Sequence, residues 1–385
     1  MSTGRTIGRV AVAGALTRRA SQGGHTWFLL QYILGFVHLG YDVVVVDRAG
    51  PDDELGVSRT ADLLDGLGLA GRWSVLVDGT DRATGLSRRA LSAELGAADL
   101  LLNVMGFLDD PDLLDVCSRR VFLDVDPGFP QLWDELGWAD LLSGHDVHLT
   151  VGAGIGGPDC TIPDRGRRWL AILPPVVLDQ WRAQSGRPDR VTTVASWRGP
   201  FGPIERGGIR HGLRVHEFRR FLAVARRTSW PLELALAIDP WDAADRGRLE
   251  EGGWHLTDPA IVAGDPEAYR TFVQGSAAEF TVAKEMYVRT RSGWFSDRSA
   301  CYLASGRPVV AQDTGVCLVP TGEGLLHFAD PDEAVAALEE VAAHYDRHSR
   351  AARALAESYL DSDLVLSRLI DVAGSATVPR AEALA

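Results

Sequence analysis

Lysine is nearly missing from this chain. Of its 39 lysines and arginines, Lys284 alone is a lysine. Almost every cation is therefore a planar, fork-like guanidinium, and the single ammonium is a compact point charge suited to one phosphate or sugar oxygen. Positive charge is also short overall: 52 acidic residues give a net charge of -13. A long-range negative field repels polyanions, which predicts no nucleic-acid partner and no membrane partner, though a local basic pocket stays open. Cysteine is scarce. Cys117, Cys160, Cys301 and Cys317 stand far apart with no CxxC pair, so neither a zinc site nor a disulfide framework is supported, and a reducing cytoplasm is expected. No apolar run is long enough to span a bilayer. The most apolar stretch, "HTWFLLQYILGFVHLG", falls short of the roughly 20 residues required and contains Gln31 and His38, which predicts a buried helix. The early run "IGRVAVAGAL" is broken by Arg9 and leads into Thr17, Arg18 and Arg19 rather than a cleavage site, so it reads as a first strand.

What is present is enough apolar material for two cores, 46% of 385 residues. From residue 7 the pattern runs strand, glycine-containing loop, helix from about His25 to Leu39, then the strand "YDVVVVD", whose four valines predict burial on both faces. That is a βαβ unit in a parallel sheet. Further strands are expected at 73–79, 98–106, 120–128 and 146–152. The proline-rich segment after Leu173 marks a domain edge. A second series follows, with strands at 191–197, 232–238, 278–284 and 307–313 and helices near 215–228, 265–274, 296–305 and 331–345. The expected fold is α/β, with two doubly wound Rossmann-like domains facing across a cleft: an acceptor-binding domain over 1–175 and a nucleotide-sugar-binding domain over 190–348. A C-terminal helical segment, 349–385, is expected to cross back to the first. Such folds bind ligands at the carboxyl ends of their strands.

Three motifs stand out. "GAGIGG" at 152–157 matches a dinucleotide fingerprint in letters, but two prolines follow where a helix should open, so a loop is expected. Asp124 and Asp126 form a D-x-D, a pattern able to hold a divalent ion; at a strand end it predicts instead an aspartate pointing into the cleft. In "RSGWFSDRSACYLASGRPVVAQDTG", Ser296 suits an N-cap, Asp297 a first helical turn and Gly306 a C-cap. The amides of the Ser292–Gly293 loop, with Arg291 and Arg298 beside the helix start, predict an anion site, and a diphosphate fits it.

The segment from Ser276 to Gly315 resembles the donor-binding half of bacterial GT-B glycosyltransferases of the natural-product type. The resemblance rests on the Gly-Trp-x-Ser run from Gly293 to Ser296, on "ASGRPVV" and on the Gln312–Asp313 pair. Gly23-Gly24-His25 is similar to the loop after the first strand, where inverting members carry a catalytic histidine. The resemblance implies a glycosyltransferase that moves a sugar from a nucleotide-sugar donor, its co-substrate, to a small-molecule acceptor such as a natural product or glycoside, with no cofactor and no metal. It implies a donor site of Arg198, Lys284, Arg291, Ser292, Gly293, Trp294, Ser296, Asp297, Arg298, Gln312 and Asp313. Gly23 and Gly24 would form the phosphate or acceptor loop, and His25 would be the base with Asp126 holding its second ring nitrogen. His145 and His148 stand in reserve as bases, and Trp27, Phe129, Trp133 and Trp138 as an aromatic acceptor wall. The pattern departs from the family where Arg291 replaces a phosphate-binding histidine and where no paired glutamates occur, which leaves the nucleotide base and stereochemistry open. A nucleotide-sugar 2-epimerase of the same fold and a non-catalytic nucleotide-sugar-binding protein are the alternatives. A monomer or homodimer is expected.

Overall fold

The computed structural model describes residues 7–375; residues 1–6 of the expected first domain and 376–385 of the expected C-terminal segment lie outside the described residues. Among the described residues sixteen strands fall in chain order. They are β1 Arg9–Ala13, β2 Asp42–Ala49, β3 Trp73–Val77, β4 Ala83–Gly85, β5 Leu100–Val104, β6 Arg120–Asp124, β7 Val147–Thr150, β8 Trp169–Ala171, β9 Val191–Ser196, β10 Ile204–Arg206, β11 Ile209–His211, β12 Leu232–Ala237, β13 His255–Thr257, β14 Ala278–Thr281, β15 Val309–Gln312 and β16 Leu325–Phe328.

The first sheet has the order β4-β3-β2-β1-β5-β6-β7-β8 and the second β13-β12-β9-β14-β15-β16. Every pairing in both is parallel except that of β3 with the edge strand β4. The valines of β2 are buried on both faces, which parallel sheets covered by helices demand. Strand order reverses beside β1 in one sheet and beside β9 in the other, and at those points the chain leaves open crevices. The small hairpin β10–β11 stands apart from both sheets.

Of the fourteen α-helices among the described residues, six bear on the site and the domain crossing and are labelled here: α1 Gly23–His38, α2 Arg214–Phe218, α3 Pro266–Gln274, α4 Glu285–Thr290, α5 Asp297–Ala304 and α6 Ser362–Ser375. Helix α1 is apolar nearly all round because it is enclosed. One side packs on the first sheet, while Trp27 and Leu30 join a cluster with Tyr269 of α3 and Tyr302 of α5. No helix among the described residues is long and apolar enough to cross a membrane. The expected helix over 215–228 is instead α2 followed by two tight turns, Arg219–Phe221 and Val224–Arg226. Phe218, Phe221 and Val224 lie three apart and are all buried. That period is the one a 3₁₀ turn stacks on a single side. At the far end of the chain, Val365, Leu366, Leu369 and Ala373 of α6 enter the core of the first sheet. The two interdomain crossings pair there: Val176 N–H donates to Leu360 O at 2.7 Å, and Ser362 N–H to Val176 O at 2.9 Å.

Candidate active site

Two of the cavities between the sheets meet at the start of α1. The larger, about 890 Å³, is lined by the carboxyl ends of β9 and β12, by Thr257 at the end of β13 with the following Asp258 to Ala260, and by the start of α1. Its charged lining is Arg198, Arg214, Arg246, Lys284 and Arg298 against Asp258 and Asp297, with His25 at the α1 side. The second, about 670 Å³, lies over the switch point of the first sheet and is mostly apolar, with Phe28, Phe107, Phe201 and Met105 beside Arg18, Arg19 and Asp126.

The predicted site residues divide between these cavities and other places. Gly24, His25, Arg198, Lys284, Asp297 and Arg298 line the larger cavity, and Asp126 the smaller. The others do not reach the cleft. Arg291 is exposed and turns the end of α4 in the left-handed region, φ +51°. The amides expected to hold a diphosphate are already used: Ser292 N–H donates to Tyr287 O, Gly293 N–H to Thr314 O and Trp294 N–H to Ser292 Oγ. This loop docks the domains instead. Gly154 N–H donates to Ser292 O at 2.8 Å and Ala153 N–H to Gly293 O at 3.2 Å, so the "GAGIGG" loop seats against it. A Cβ on Gly293 would stand 2.7 Å from Gly154 N, and its φ is +69°. Trp294 and Ser296 line only a void of about 20 Å³. Gln312 is buried between Glu217 and the Ala283 amide, and Asp313 accepts from Gly315 N–H.

The helix start at Ser296 also differs from expectation. Ser296 Oγ accepts from Arg298 N–H, and the carboxylate of Asp297 turns back onto its own amide and that of Arg298. The helix end supplies its own anion. Arg298 is turned the other way: Nε donates to Glu279, Nη1 to Val194 O at 2.9 Å and Nη2 to Thr281 Oγ1 at 2.6 Å. Its charge is therefore committed to β14.

His25 lies in the first turn of α1, and a carbonyl fixes its tautomer. Nε2–H donates to Ala15 O at 3.1 Å, which leaves Nδ1 with the free lone pair. Burial, and then Arg19, push its pKa down to about 4. Asp126 does not hold this ring, contrary to expectation. Its carboxylate accepts from Lys284 Nζ at 2.7 and 2.5 Å and from the Tyr287 hydroxyl, joining the two domains. Lys284 stands over the Phe129 ring at 4.7 Å, and burial holds its ammonium below the ordinary value while Asp126 opposes the shift. Gly23 and Gly24 are a docking surface too. Gly23 N–H donates to Ala263 O at 2.8 Å, and a Cβ there would fall 2.0 Å from Asp265 O; on Gly24 it would meet the Tyr269 ring at 2.9 Å. Past them the ladder of α1 begins only with Thr26 N–H to Gln22 O, so the amides of Gly24 and His25 face the cleft as free donors.

The reserve histidines are remote. His145 bonds to Asn103 and His148 to Leu142 O, both packed on Phe122. The proposed aromatic wall is likewise absent from the cleft: Trp27 bonds to Pro266 O inside a core, Phe129 and Trp133 pack on Phe201, and Trp138 is exposed. Asp124 is buried, accepting from Gln131, Thr150 and the Asp126 amide.

One residue escaped sequence reasoning altogether. Arg214 is 8% exposed, opens α2 and reaches the larger cavity. Its one hydrogen bond among the described residues runs from Nη1 to Val282 O at 2.6 Å, and no carboxylate pairs with it. Burial first, then neighbouring Arg298, push its pKa down to about 10. Arg246, at the rim, has no acidic partner either among the described residues. Arg198, by contrast, is gripped by Asp242 at 2.7 and 2.6 Å.

No family model matches the chain, and no curated protein does. Solved structures do. An α-glucosyltransferase in complex with UDP-glucose and DNA containing an abasic site aligns over 95% of this chain and 98% of its own, with 12% identity and a TM-score of 0.60. The Anabaena protein HepE in complex with UDP and glucose aligns over 96% and 100%, with 11% identity and a TM-score of 0.60. AviGT4, a glycosyltransferase involved in avilamycin A biosynthesis, aligns over 95% and 97%, with 15% identity and a TM-score of 0.55. The chain thus has the GT-B fold, two doubly wound domains facing across a cleft. These matches overturn the expected partner set of a small-molecule acceptor without nucleic acid, because several structures of this fold are complexes with DNA. The net charge of -13 is a sum over the whole chain and does not describe the cleft. Charges are screened within about 8 Å at physiological salt, so a cleft's own cations decide what enters it.

Proposed function

We propose that the chain is a glycosyltransferase, taking a sugar from a nucleoside diphosphate sugar bound in the larger cavity and passing it to an acceptor in the smaller one. The observation that carries this reading is Arg214, a guanidinium buried in the cleft without a carboxylate. A buried unpaired charge is costly, and a dianionic diphosphate offsets it with charge-assisted bonds. The amides of Gly24 and His25 at the start of the 16-residue α1 add the favourable end of a helix dipole. Lys284, within reach of the same cleft, and Arg246 at its rim complete a positive lining for the departing diphosphate. Uridine nucleotides are the first donors to try, since UDP is bound in structures of this fold.

No divalent ion enters this proposal. Both carboxylates of the D-x-D are engaged by side-chain donors, and the cations above carry the charge that a metal would. The histidine base fares less well. Nδ1 of His25 is free, but a conjugate acid near 4 makes it a weak proton acceptor at neutral pH. The second cavity joining the first favours transfer to a separate substrate over epimerisation of the donor or binding without turnover.

The test is calorimetric titration of UDP, GDP, ADP and dTDP in the presence of EDTA. Binding of at least one, accompanied by a rise in melting temperature, is expected. If none of the four binds, the reading fails.

A further inference from the structure

The two cavities share three lining residues: His25, Pro200 and Asp297. Whatever atom passes from one cavity to the other does so among these side chains, and proline offers no proton chemistry. His25 has one nitrogen tied to Ala15 O. The carboxylate of Asp297 has no side-chain hydrogen bond among the described residues. It is touched only by the amides of the first turn of α5, while the nearest guanidinium, Arg298, is turned to Glu279. Burial pushes its pKa up, and so strengthens it as an acceptor. Its ionised form is still supported by the start of the helix.

We propose that Asp297 is the catalytic base, taking the proton from the acceptor at the mouth shared by the two cavities. This rests on the donor reading above and deepens it. The acceptor oxygen attacks the anomeric carbon as the bond from that carbon to the diphosphate oxygen breaks. The bonding pair leaves with the nucleoside diphosphate, and the acceptor's proton passes to a carboxylate oxygen of Asp297, which later releases it to solvent. The resemblance had given this residue a different task, contact with the donor, and the two roles predict opposite results.

Asp297→Asn keeps the shape and the Ser296 cap. With water as the acceptor, hydrolysis of UDP-glucose is expected to fall by about 100-fold or more, the usual size of a general-base contribution. UDP affinity should stay the same or tighten, because a negative charge near the diphosphate is gone. Retention of hydrolysis within tenfold of wild type overturns the proposal. So does weaker UDP binding, which makes Asp297 a donor-binding residue, or a larger loss in His25→Asn than in Asp297→Asn. Where wild type binds UDP but hydrolyses no UDP-glucose, the UDP affinity of Asp297→Asn decides alone. Failure of wild type to bind any nucleoside diphosphate strikes the donor reading instead and is recognised before a variant is made.

Discussion

Replacing Arg214 by methionine should separate the stability of the fold from its affinity for nucleotide, with opposite signs. Burial and Arg298 lower the pKa of this guanidinium to about 10. A fall of that size from the ordinary arginine value disfavours the charged form by roughly 3 kcal/mol. Because the folded value of a base is depressed, the penalty applies at every pH below the ordinary arginine range, hence throughout any practical assay. On the other side stands the bond from Nη1 to Val282 O at 2.6 Å, worth about 1 kcal/mol net. Methionine keeps the unbranched stem. The ligand-free variant should therefore melt no lower than wild type, and is expected to gain up to about 2 kcal/mol. Nucleotide binding should move the other way. Each charge-assisted bond to the diphosphate contributes about 1.5–3 kcal/mol, so losing one weakens UDP by roughly 10- to 100-fold. Thermal unfolding without ligand and calorimetric titration of UDP read the two effects independently. A variant that melts lower and binds UDP as before would make Arg214 a structural cation and refute the reasoning.

Asp126→Asn leaves Lys284 buried against Phe129 without its counter-charge, and should cost about 3 kcal/mol in denaturant unfolding. The double variant Asp126→Leu with Lys284→Met should recover most of that loss; a single replacement costing under about 0.5 kcal/mol would contradict the tie. Asp47 is buried with no ion pair among the described residues, bonded to the Thr17 and Arg48 amides, and burial raises its pKa to about 7 against the weaker opposing pull of Arg18. An acid whose folded pKa is raised binds more protons folded than unfolded, so its contribution to stability is present at low pH and fades as pH climbs to 7. The melting temperature of Asp47→Asn relative to wild type should accordingly rise between pH 5 and pH 8, and a flat difference would count against this assignment.

Strand positions were legible because periodicity and β-branched runs are local signals: β2, β5 and β9 lie where their valines and leucines predict. The site was legible only in part. Gly23, Gly24 and the Ser292–Gly293 loop stand out as glycine-rich turns, but a glycine that admits a phosphate and one that admits another domain's backbone look alike in sequence. Only the atoms facing them, Asp265 O and Gly154 N, decide between the two. Arg214 gave no signal. It sits in "HGLRVHEF" with nothing nearby to mark it, and its meaning comes from what is absent around it in space. The scarcity of lysine did lead to the cleft, since Lys284 lines it, although its first partner is Asp126 rather than a phosphate.

The contacts that join the domains and those that would hold the donor are interleaved at residue resolution. Gly23 docks on Ala263 while its neighbours Gly24 and His25 offer their amides to the cleft; Lys284 ties to Asp126 while lining the donor cavity. A donor drawn onto α1 and Arg214 at once bridges elements of both domains, so its binding and their docking are energetically linked. Loosening one must weaken the other. Substitution of Lys284 therefore cannot report phosphate contact alone, whereas Arg214 makes no bond across the domain junction and can.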